Sequence, residues 1–194
     1  QFLLEQTGLP RPPESWREWM AIPSYALAAA CAGEIFYDGL GEMTRLRRTL
    51  RDGMPEDVRL KKIAGHAALM AQSGQYNVSR CRRHGEEGAA YLACGEFVRH
   101  TLAMLFLLNR RHMPFYKWAL RAARELPELS ELVPALEQLL RAPDEETIER
   151  VSAAVIRELR AQGLTDGAWD FLEPHAYAVM RRIRSPEIAA LHVM

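Results

Sequence analysis

The feature that most constrains the fold is a 25-residue stretch, Glu86–Arg110, that contains no proline and only two glycines. Its apolar residues are spread around most of the circumference of a helix, so the helix keeps no broad polar face for solvent. A helix of this kind has to be surrounded by other elements. No segment alternates apolar and polar residues for long enough to predict a strand. The sequence therefore predicts an all-α protein, a bundle of about eight helices around a buried central one.

Helix boundaries are indicated by residues that cap helices or break them. Serine and aspartate accept hydrogen bonds from the first turn of a helix, proline fits its first position, and glycine suits its end. We expect helices to start at or beside Ser15, Pro23, Pro55, Pro114 and Asp144, and to end at Gly33 and Gly74.

Two parts of the chain are predicted to be irregular. The proline-rich opening, residues 1–14, is typical of a linker or a surface strap, and residues 15–194 are predicted to form a single helical domain. Glycines at 33, 39 and 41 bracket "EIFYD" and predict an irregular loop near residues 33–42.

Composition narrows the class of partner. Lys and Arg total 25 and so do Asp and Glu, so no net field favours nucleic acid or an anionic membrane. The three cysteines lack metal spacing and are typical of reduced thiols in a cytoplasmic protein. The apolar run "TLAMLFLL" is shorter than a membrane span needs. We expect a cytoplasmic protein that binds neither nucleic acid nor membrane.

Common catalytic motifs are missing from the sequence. It contains no phosphate-binding glycine loop and no nucleophile elbow, and its six histidines do not fall at metal-ligand spacing. We therefore expect no metal site within this chain. The weak candidates are three acidic residues near the glycine loop, Glu34, Asp38 and Glu42, for which support of a turn and of a helix start is the alternative role.

Three polar sites are candidates for ligand binding. The connection "AQSGQYNVSRCRRHGEEG" presents Tyr76 and Arg80, which either contact an anion or belong to a solvated helix end. Glu96 on the apolar central helix is either a buried general base or a partner of Arg99 or His100.

The third candidate lies in "RRHMPFYKWALRA", where Tyr116 and Lys117 fall in the first turn after Pro114. A lysine there opposes the helix dipole, and such local conflicts occur at functional sites. Binding of an anion and simple surface packing are both open.

Several long phrases carry a resemblance to a known family: "FYDGLGEMT", "PEDVRLKKIA", "MAQSGQYN", "FLLNRRHMPFYKWALRA" and "RIRSPEIAALHVM". Over nearly its whole length the chain resembles a bacterial family of unknown function. In that family a similar helical region follows an N-terminal domain that resembles the nucleotidyltransferase fold.

The resemblance implies that catalysis and acceptor binding are carried out by different domains. The superfamily's catalytic motifs, a Gly-Ser pair and a magnesium-binding Asp-x-Asp pair, are not found here and would lie upstream of Gln1. A nucleoside triphosphate and Mg²⁺ are therefore implied for the full-length protein and not for this chain alone. By analogy with the helical domains of such enzymes, Glu96 would be the general base, and Tyr76, Arg80, Tyr116 and Lys117 would contact nucleotide phosphate or acceptor.

These observations lead to two hypotheses. Because the chain begins with glutamine and not methionine, we expect it to be the C-terminal part of a longer protein. The first hypothesis is the substrate-side domain of a nucleotidyltransferase that acts on an unknown small-molecule hydroxyl acceptor and docks on its own N-terminal domain. The alternative is a non-enzymatic module that binds a protein partner, a second copy of itself as a homodimer, or a small molecule.

Overall fold

The computed structural model describes all residues, 1–194, and its regular structure is entirely helical. The twelve α-helices are α1 (Phe2–Thr7), α2 (Trp16–Ala21), α3 (Ser24–Cys31), α4 (Glu42–Asp52), α5 (Glu56–Met70), α6 (Ser79–Arg83), α7 (Glu87–Leu108), α8 (Tyr116–Ala123), α9 (Val133–Arg141), α10 (Glu145–Ala161), α11 (Leu172–Met180) and α12 (Pro186–Ala189). A π-helical segment, Ala71–Val78, joins α5 to α6, and a 3-10 turn, Ser130–Leu132, precedes α9. The all-α prediction is confirmed. Eight of the helices have eight residues or more, close to the number expected.

Helix α7 is the centre of the bundle. Its last nine residues, His100–Leu108, are all buried, so neighbours surround this half of the helix on every side. Helix α5 and the π segment pack against it, as do α8 and α9, while α11 packs on α5. By length and composition α7 could also cross a membrane, with a mean hydropathy of 1.3 over its most apolar 18 residues, but 67% of that window is buried by the rest of the protein.

Side-chain caps explain several helix starts. The Ser15 hydroxyl accepts a hydrogen bond from the Glu18 amide, and the Glu18 carboxylate accepts one from the Ser15 amide. These two bonds form a capping box at the start of α2. Asp144 accepts from the Thr147 amide at 2.8 Å and begins α10. Pro23 and Pro55 stand directly before α3 and α5. These helix starts lie where the sequence predicted them.

The prediction that Gly74 ends a helix is wrong. The chain continues from α5 through the π segment into α6 without interruption. Gly74 is buried against α7, and a Cβ at this position would lie 2.3 Å from Cδ2 of Phe97. The glycine is therefore required for close approach of two helices, and no chain reversal occurs there.

The opening segment is only partly extended. Residues 2–7 form α1, which packs on α3 and buries Leu3, whereas the proline-rich residues 9–14 have no regular structure. Arg11 ties this part to α2 through an ion pair with Glu18 at 2.9 Å. The segment therefore contacts the rest of the protein at both of its ends.

Residues 32–41 connect α3 to α4 without regular secondary structure. Gly33 and Gly41 have φ values of 75° and 67°, in the left-handed region that glycine adopts without strain. Three large apolar side chains of this connection, Phe36, Tyr37 and Leu40, are between 87% and 93% exposed.

Candidate functional site

A cleft of about 340 Å³ opens between the α2–α3 corner and the packed pair α5 and α7. Most of its wall is apolar, and three cationic or imidazole side chains face the same space: Lys62, His66 and Arg99. No carboxylate lines it. The remaining lining residues are Met20, Ala21, Ile22, Pro23, Ser24, Met54, Ala103, Phe106, Leu107 and Met113. We call this space the imidazole cleft.

Two histidines from different helices meet behind the cleft. Nδ1 of His66 on α5 lies 3.0 Å from Nδ1 of His100 on α7, and the ring centroids are 5.2 Å apart. A guanidinium nitrogen of Arg99 donates to Nε2 of His100 at 3.0 Å. Because arginine is always a donor, Nε2 of neutral His100 accepts and its Nδ1 carries the proton. His100 therefore donates to Nδ1 of His66, and the hydrogen of neutral His66 is on Nε2.

Both imidazoles are held in the neutral form. Burial, followed by repulsion from His100 and from neighbouring cations, lowers the pKa of His66 to about 3. Burial, with repulsion from Arg99, lowers the pKa of His100 to about 4, although Glu96 partly opposes this. The pair is therefore uncharged at neutral pH, and its hydrogen-bond direction is fixed by Arg99.

Lys62 supplies a positive charge one turn from His66 on the same helix, α5. Its Nζ donates to the carbonyl oxygen of Trp19 at 3.2 Å, which leaves two ammonium hydrogens free of protein partners. Burial lowers the pKa of Lys62 from its ordinary value. An anion in the cleft would offset that cost, because an opposite charge favours the charged form of the lysine.

The cleft therefore presents hydrogen-bond donors against an apolar wall. Lys62, Arg99 and Nε2 of His66 are the donors; no carboxylate lines the cleft, and Arg99 also donates to Glu96 outside it. Such a set is complementary to a small molecule with an apolar part and an acceptor-rich or negatively charged group.

Glu96 is not the buried carboxylate that a raised pKa would require. Its side chain is 53% exposed and accepts from Arg99, with Oε2 2.5 Å from a guanidinium nitrogen and 3.4 Å from Nε2 of His100. The Arg99 hydrogen bond lowers the pKa of Glu96. Of the two predicted roles, pairing is the one that the structure contains, and Glu96 reaches the cleft only through Arg99.

Tyr116 and Lys117 lie near one end of the cleft without lining it. The Phe115 ring packs edge-on against Tyr25, with ring centroids 5.5 Å apart, and lies tilted against Tyr116 at a centroid distance of 4.5 Å. Next to these aromatic residues in the sequence, two residues that line the cleft are hydrogen-bonded: the Met113 amide donates to Ser24 Oγ at 2.7 Å. The Tyr116 side chain is exposed, and Lys117 Nζ lies 5.9 Å from the Phe115 ring centre.

The structure does not bring Tyr76 and Arg80 into the imidazole cleft. The Tyr76 hydroxyl accepts from Arg80 at 2.6 Å, and Tyr76 borders a separate cavity beside Phe171 and Met194 that shares no lining residue with the cleft. Their neighbour Gln75 has a structural role, since its side-chain oxygen caps α11 by accepting from the Leu172 amide at 2.9 Å.

The acidic residues of the glycine loop support α4. Asp38 accepts from the Thr44 amide at 2.8 Å, from the Thr44 hydroxyl at 2.7 Å and from the Met43 amide at 3.3 Å, and these bonds lower its pKa. Glu42 is the first residue of α4, and Glu34 makes no hydrogen bond or ion pair. No group of three His, Cys, Asp or Glu side chains is placed to hold a metal ion.

Sequence reasoning missed the histidine pair. His66 and His100 are 34 residues apart, and neither matches a metal or triad motif. One signal could have found His100: it lies on the central helix that was expected to be buried, where an imidazole needs a partner.

The fold and the cleft define the class: an all-helical domain with a donor-lined, apolar-walled cleft beside its central helix. A family model described as a domain of unknown function (DUF4037) matches residues 19–119, more than half of the chain. The chain belongs to this family. The match includes the whole of α3 to α7 and every polar residue of the cleft. Comparisons with curated proteins and with solved structures gave no match.

Proposed function

We propose that this chain is the acceptor-binding helical domain of a nucleotidyltransferase-like protein, and that the imidazole cleft binds the acceptor. The observation that supports this is the convergence of Lys62, His66 and Arg99 on one apolar-walled space with no carboxylate. The resemblance of the chain to a helical region that follows a nucleotidyltransferase-like domain supplies the reaction class.

In this proposal the residues of the chain bind and orient the acceptor. Lys62 and Arg99 contact its negatively charged or carbonyl oxygens, and the Nε2 hydrogen of His66 fixes its position. The apolar wall excludes water, which strengthens these hydrogen bonds. Glu96 holds Arg99 in place. Arg99 in turn donates to Nε2 of His100 and so fixes the tautomer of that imidazole. Holding the acceptor hydroxyl in line accounts for a large part of the rate enhancement that such a domain can provide.

Mg²⁺ and the nucleoside triphosphate belong to the upstream domain in this proposal. The residues present do not fit a metal site, because Asp38 already accepts three hydrogen bonds from the start of α4 and no other carboxylate group converges with it. No step is assigned to metal within this chain. We also propose a cytoplasmic location, in keeping with a nucleotide substrate.

The first test is the sequence encoded upstream of Gln1 together with the intact mass of the native protein. A mass well above 22.1 kDa, with Gly-Ser and Asp-x-Asp motifs upstream, is expected. A native protein of about that mass, or an upstream sequence without those motifs, would overturn the transferase proposal.

The second test measures pyrophosphate release by the full-length protein with Mg²⁺, each of the four nucleoside triphosphates and a panel of hydroxylated small molecules. Lys62→Met and His66→Gln are expected to raise the acceptor KM at least tenfold with a smaller effect on kcat, because both residues act in binding. Arg141→Gln, on the exposed end of α9, is the control that should match wild type. An unchanged KM in both cleft variants would remove the cleft from the site.

A second candidate function is a non-enzymatic interaction module, and the exposed loop between α3 and α4 favours it. Phe36, Tyr37 and Leu40 present apolar surface that a solvated loop does not need. Light scattering and pull-down with the triple variant Phe36→Ser, Tyr37→Ser and Leu40→Ser would test it. Loss of an assembly that wild type forms would support the interaction role, and a monomer in both proteins would contradict self-association.

A further inference from the structure

A second, smaller cavity, next to the imidazole cleft, is lined by four arginines. It has a volume of about 150 Å³ and lies where the start of α5, the end of α4 and the end of α7 meet. Its wall consists of Arg51, Asp52, Met54, Arg59, Leu107, Arg110, Arg111 and His112. We call this space the arginine pocket.

The charges around the pocket do not balance. Glu56 is shared by Arg59 and Arg110, with contacts of 2.7 Å and 2.8 Å, and Asp52 pairs with Arg51 at 3.0 Å. Two carboxylates thus face four guanidinium groups, and a local charge of +2 remains. A single small cavity with this excess is complementary to a dianion.

Part of the pocket is rigid and part is free. Arg59 is 4% exposed, is held by Glu56 and donates to the Leu107 carbonyl at 3.1 Å. The Arg111 side chain is exposed and makes no hydrogen bond or ion pair in the protein. Its guanidinium can therefore turn to a ligand without breaking an existing contact, and it keeps its full set of donors for that ligand.

The backbone at the end of α7 is strained in a way that places these side chains. Arg110 has a φ of 53°, in the left-handed region that residues with a side chain seldom adopt. This turn ends α7 and brings the consecutive residues Arg110 and Arg111 to the same cavity. The conformation is fixed by the helix end itself, because the Arg111 amide donates to the Phe106 carbonyl at 2.8 Å.

The arginine pocket adjoins the imidazole cleft. Met54 and Leu107 line both spaces, so a molecule with one end in the pocket can extend past these apolar side chains into the cleft. A volume of about 150 Å³ accommodates a phosphoryl group.

We propose that the arginine pocket binds the phosphate group of a phosphorylated small molecule, with Arg59 as the fixed contact and Arg111 as the one that closes on the ligand. The remainder of the molecule lies over Met54 and Leu107 toward the imidazole cleft. This assignment does not depend on transferase activity, because it concerns binding by this chain alone.

Isothermal titration calorimetry at pH 7.5 and low ionic strength tests the proposal with two probes, inorganic phosphate and phenyl phosphate. Inorganic phosphate is expected to bind at one site, and phenyl phosphate at least fivefold more tightly because its ring contacts the apolar residues between the two spaces. Arg111→Gln should weaken both probes about tenfold. The charge-matched control, Arg141→Gln, should bind as wild type does, and thermal melts of both variants establish that they are folded.

The readouts distinguish the sources of the anion. Equal affinity for the two probes would overturn the organic phosphate and leave a site for free phosphate. No saturable binding of either probe, or equal binding by Arg111→Gln and wild type, would overturn the site itself. Neither result bears on pyrophosphate release, so failure here is separable from failure of the transferase proposal.

Discussion

Nδ1 of His66 and Nδ1 of His100 lie 3.0 Å apart and share one proton across the contact between α5 and α7. The contact is polar, yet it lies among buried side chains of the two helices that form the centre of the fold. The stability of the bundle and the electrostatics of the cleft therefore depend on the same two imidazole groups.

The histidine pair makes the protein sensitive to acid. In the folded protein the pKa of His66 is lowered to about 3 and that of His100 to about 4, below the ordinary value near 6.5, so the unfolded chain takes up protons first as the pH falls. Stability is then fully present above about pH 6.5 and is lost between that pH and about 4 for His100 and about 3 for His66. The loss is up to about 1.4 kcal/mol per pH unit for each histidine.

Urea unfolding at pH 8, 7, 6 and 5 measures this dependence. His66→Gln keeps a hydrogen-bonding side chain without the titration, and we expect it to reduce the slope between pH 6.5 and 5 by about a third, because burial also lowers the pKa of His112. His84→Gln, on an exposed residue, is the control. Equal slopes in wild type and His66→Gln would contradict the assignment of acid sensitivity to the pair.

Gly74→Ala should destabilise the protein more than any other glycine substitution within a helix. The new Cβ would lie 2.3 Å from a carbon of the fully buried Phe97 ring, so the π segment and α7 must move apart. We expect a loss of about 2 to 3 kcal/mol in the free energy of unfolding, the upper part of the range typical of overpacking. Chemical denaturation measures it.

Gly95→Ala is the matched control for that substitution. Gly95 lies on α7 with nothing within 4 Å of its added Cβ, so alanine should be neutral or stabilise by up to about 1 kcal/mol through helix propensity. The double variant Gly74→Ala with Phe97→Leu should recover part of the loss. Equal effects of the two single glycine substitutions would show that close packing is not the reason for Gly74.

Glu56→Gln should destabilise the protein near neutral pH, because Glu56 is the counter-charge of the buried Arg59. We expect a loss of about 1 to 3 kcal/mol, at the low end of values for buried ion pairs since the Glu56 side chain is 46% exposed. Glu131→Gln, on an exposed residue with no ion pair, should have little effect.

The same substitution has a defined pH dependence. Hydrogen bonds from Arg59, and then from Arg110, lower the pKa of Glu56 to about 2. The contribution of Glu56 is therefore present above pH 4.5 and lost as the pH falls toward 2. Unfolding experiments at pH 7 and pH 4 should show a smaller difference between wild type and Glu56→Gln at the lower pH, and a larger one would contradict the ion-pair account.

Asp38→Ala tests whether Asp38 caps α4 or binds a cation. Loss of its bonds to the Thr44 and Met43 amides should cost about 0.5 to 2 kcal/mol, as for other capping residues. Glu34→Ala is the control, and thermal melts of both are compared with and without 5 mM MgCl₂ or EDTA. Stabilisation of wild type by Mg²⁺ that disappears in Asp38→Ala would contradict the capping role.

The parts of the fold that depend on local sequence could be predicted, and those that depend on distant contacts could not. Three helix starts, at Ser15, Asp144 and Pro55, depend on interactions or backbone preferences within one helical turn. They could therefore be predicted from the local sequence. Gly74 was misread because its reason lies 23 positions along the chain, at Phe97.

The candidate site follows the same division. Tyr116 and Lys117 were found through a local conflict with the helix dipole, and they lie near one end of the cleft. His66, Lys62 and Arg99 act together only because α5 packs against α7, a contact that no short motif encodes. Glu96 was singled out as an isolated carboxylate, but its pairing with Arg99 could not be chosen from spacing alone.

The π-helical segment has a consequence for how members of the family should be compared. Each π-type hydrogen bond encloses one residue more than an α-type bond, so Ala71–Val78 behaves like an insertion within a continuous helix. A relative whose corresponding stretch is purely α-helical would be shorter by a residue there and would align with a gap inside a helix. Closing that gap by shifting the alignment would rotate every position of α6 by about 100°, and Arg80 would be matched with a residue on a different face.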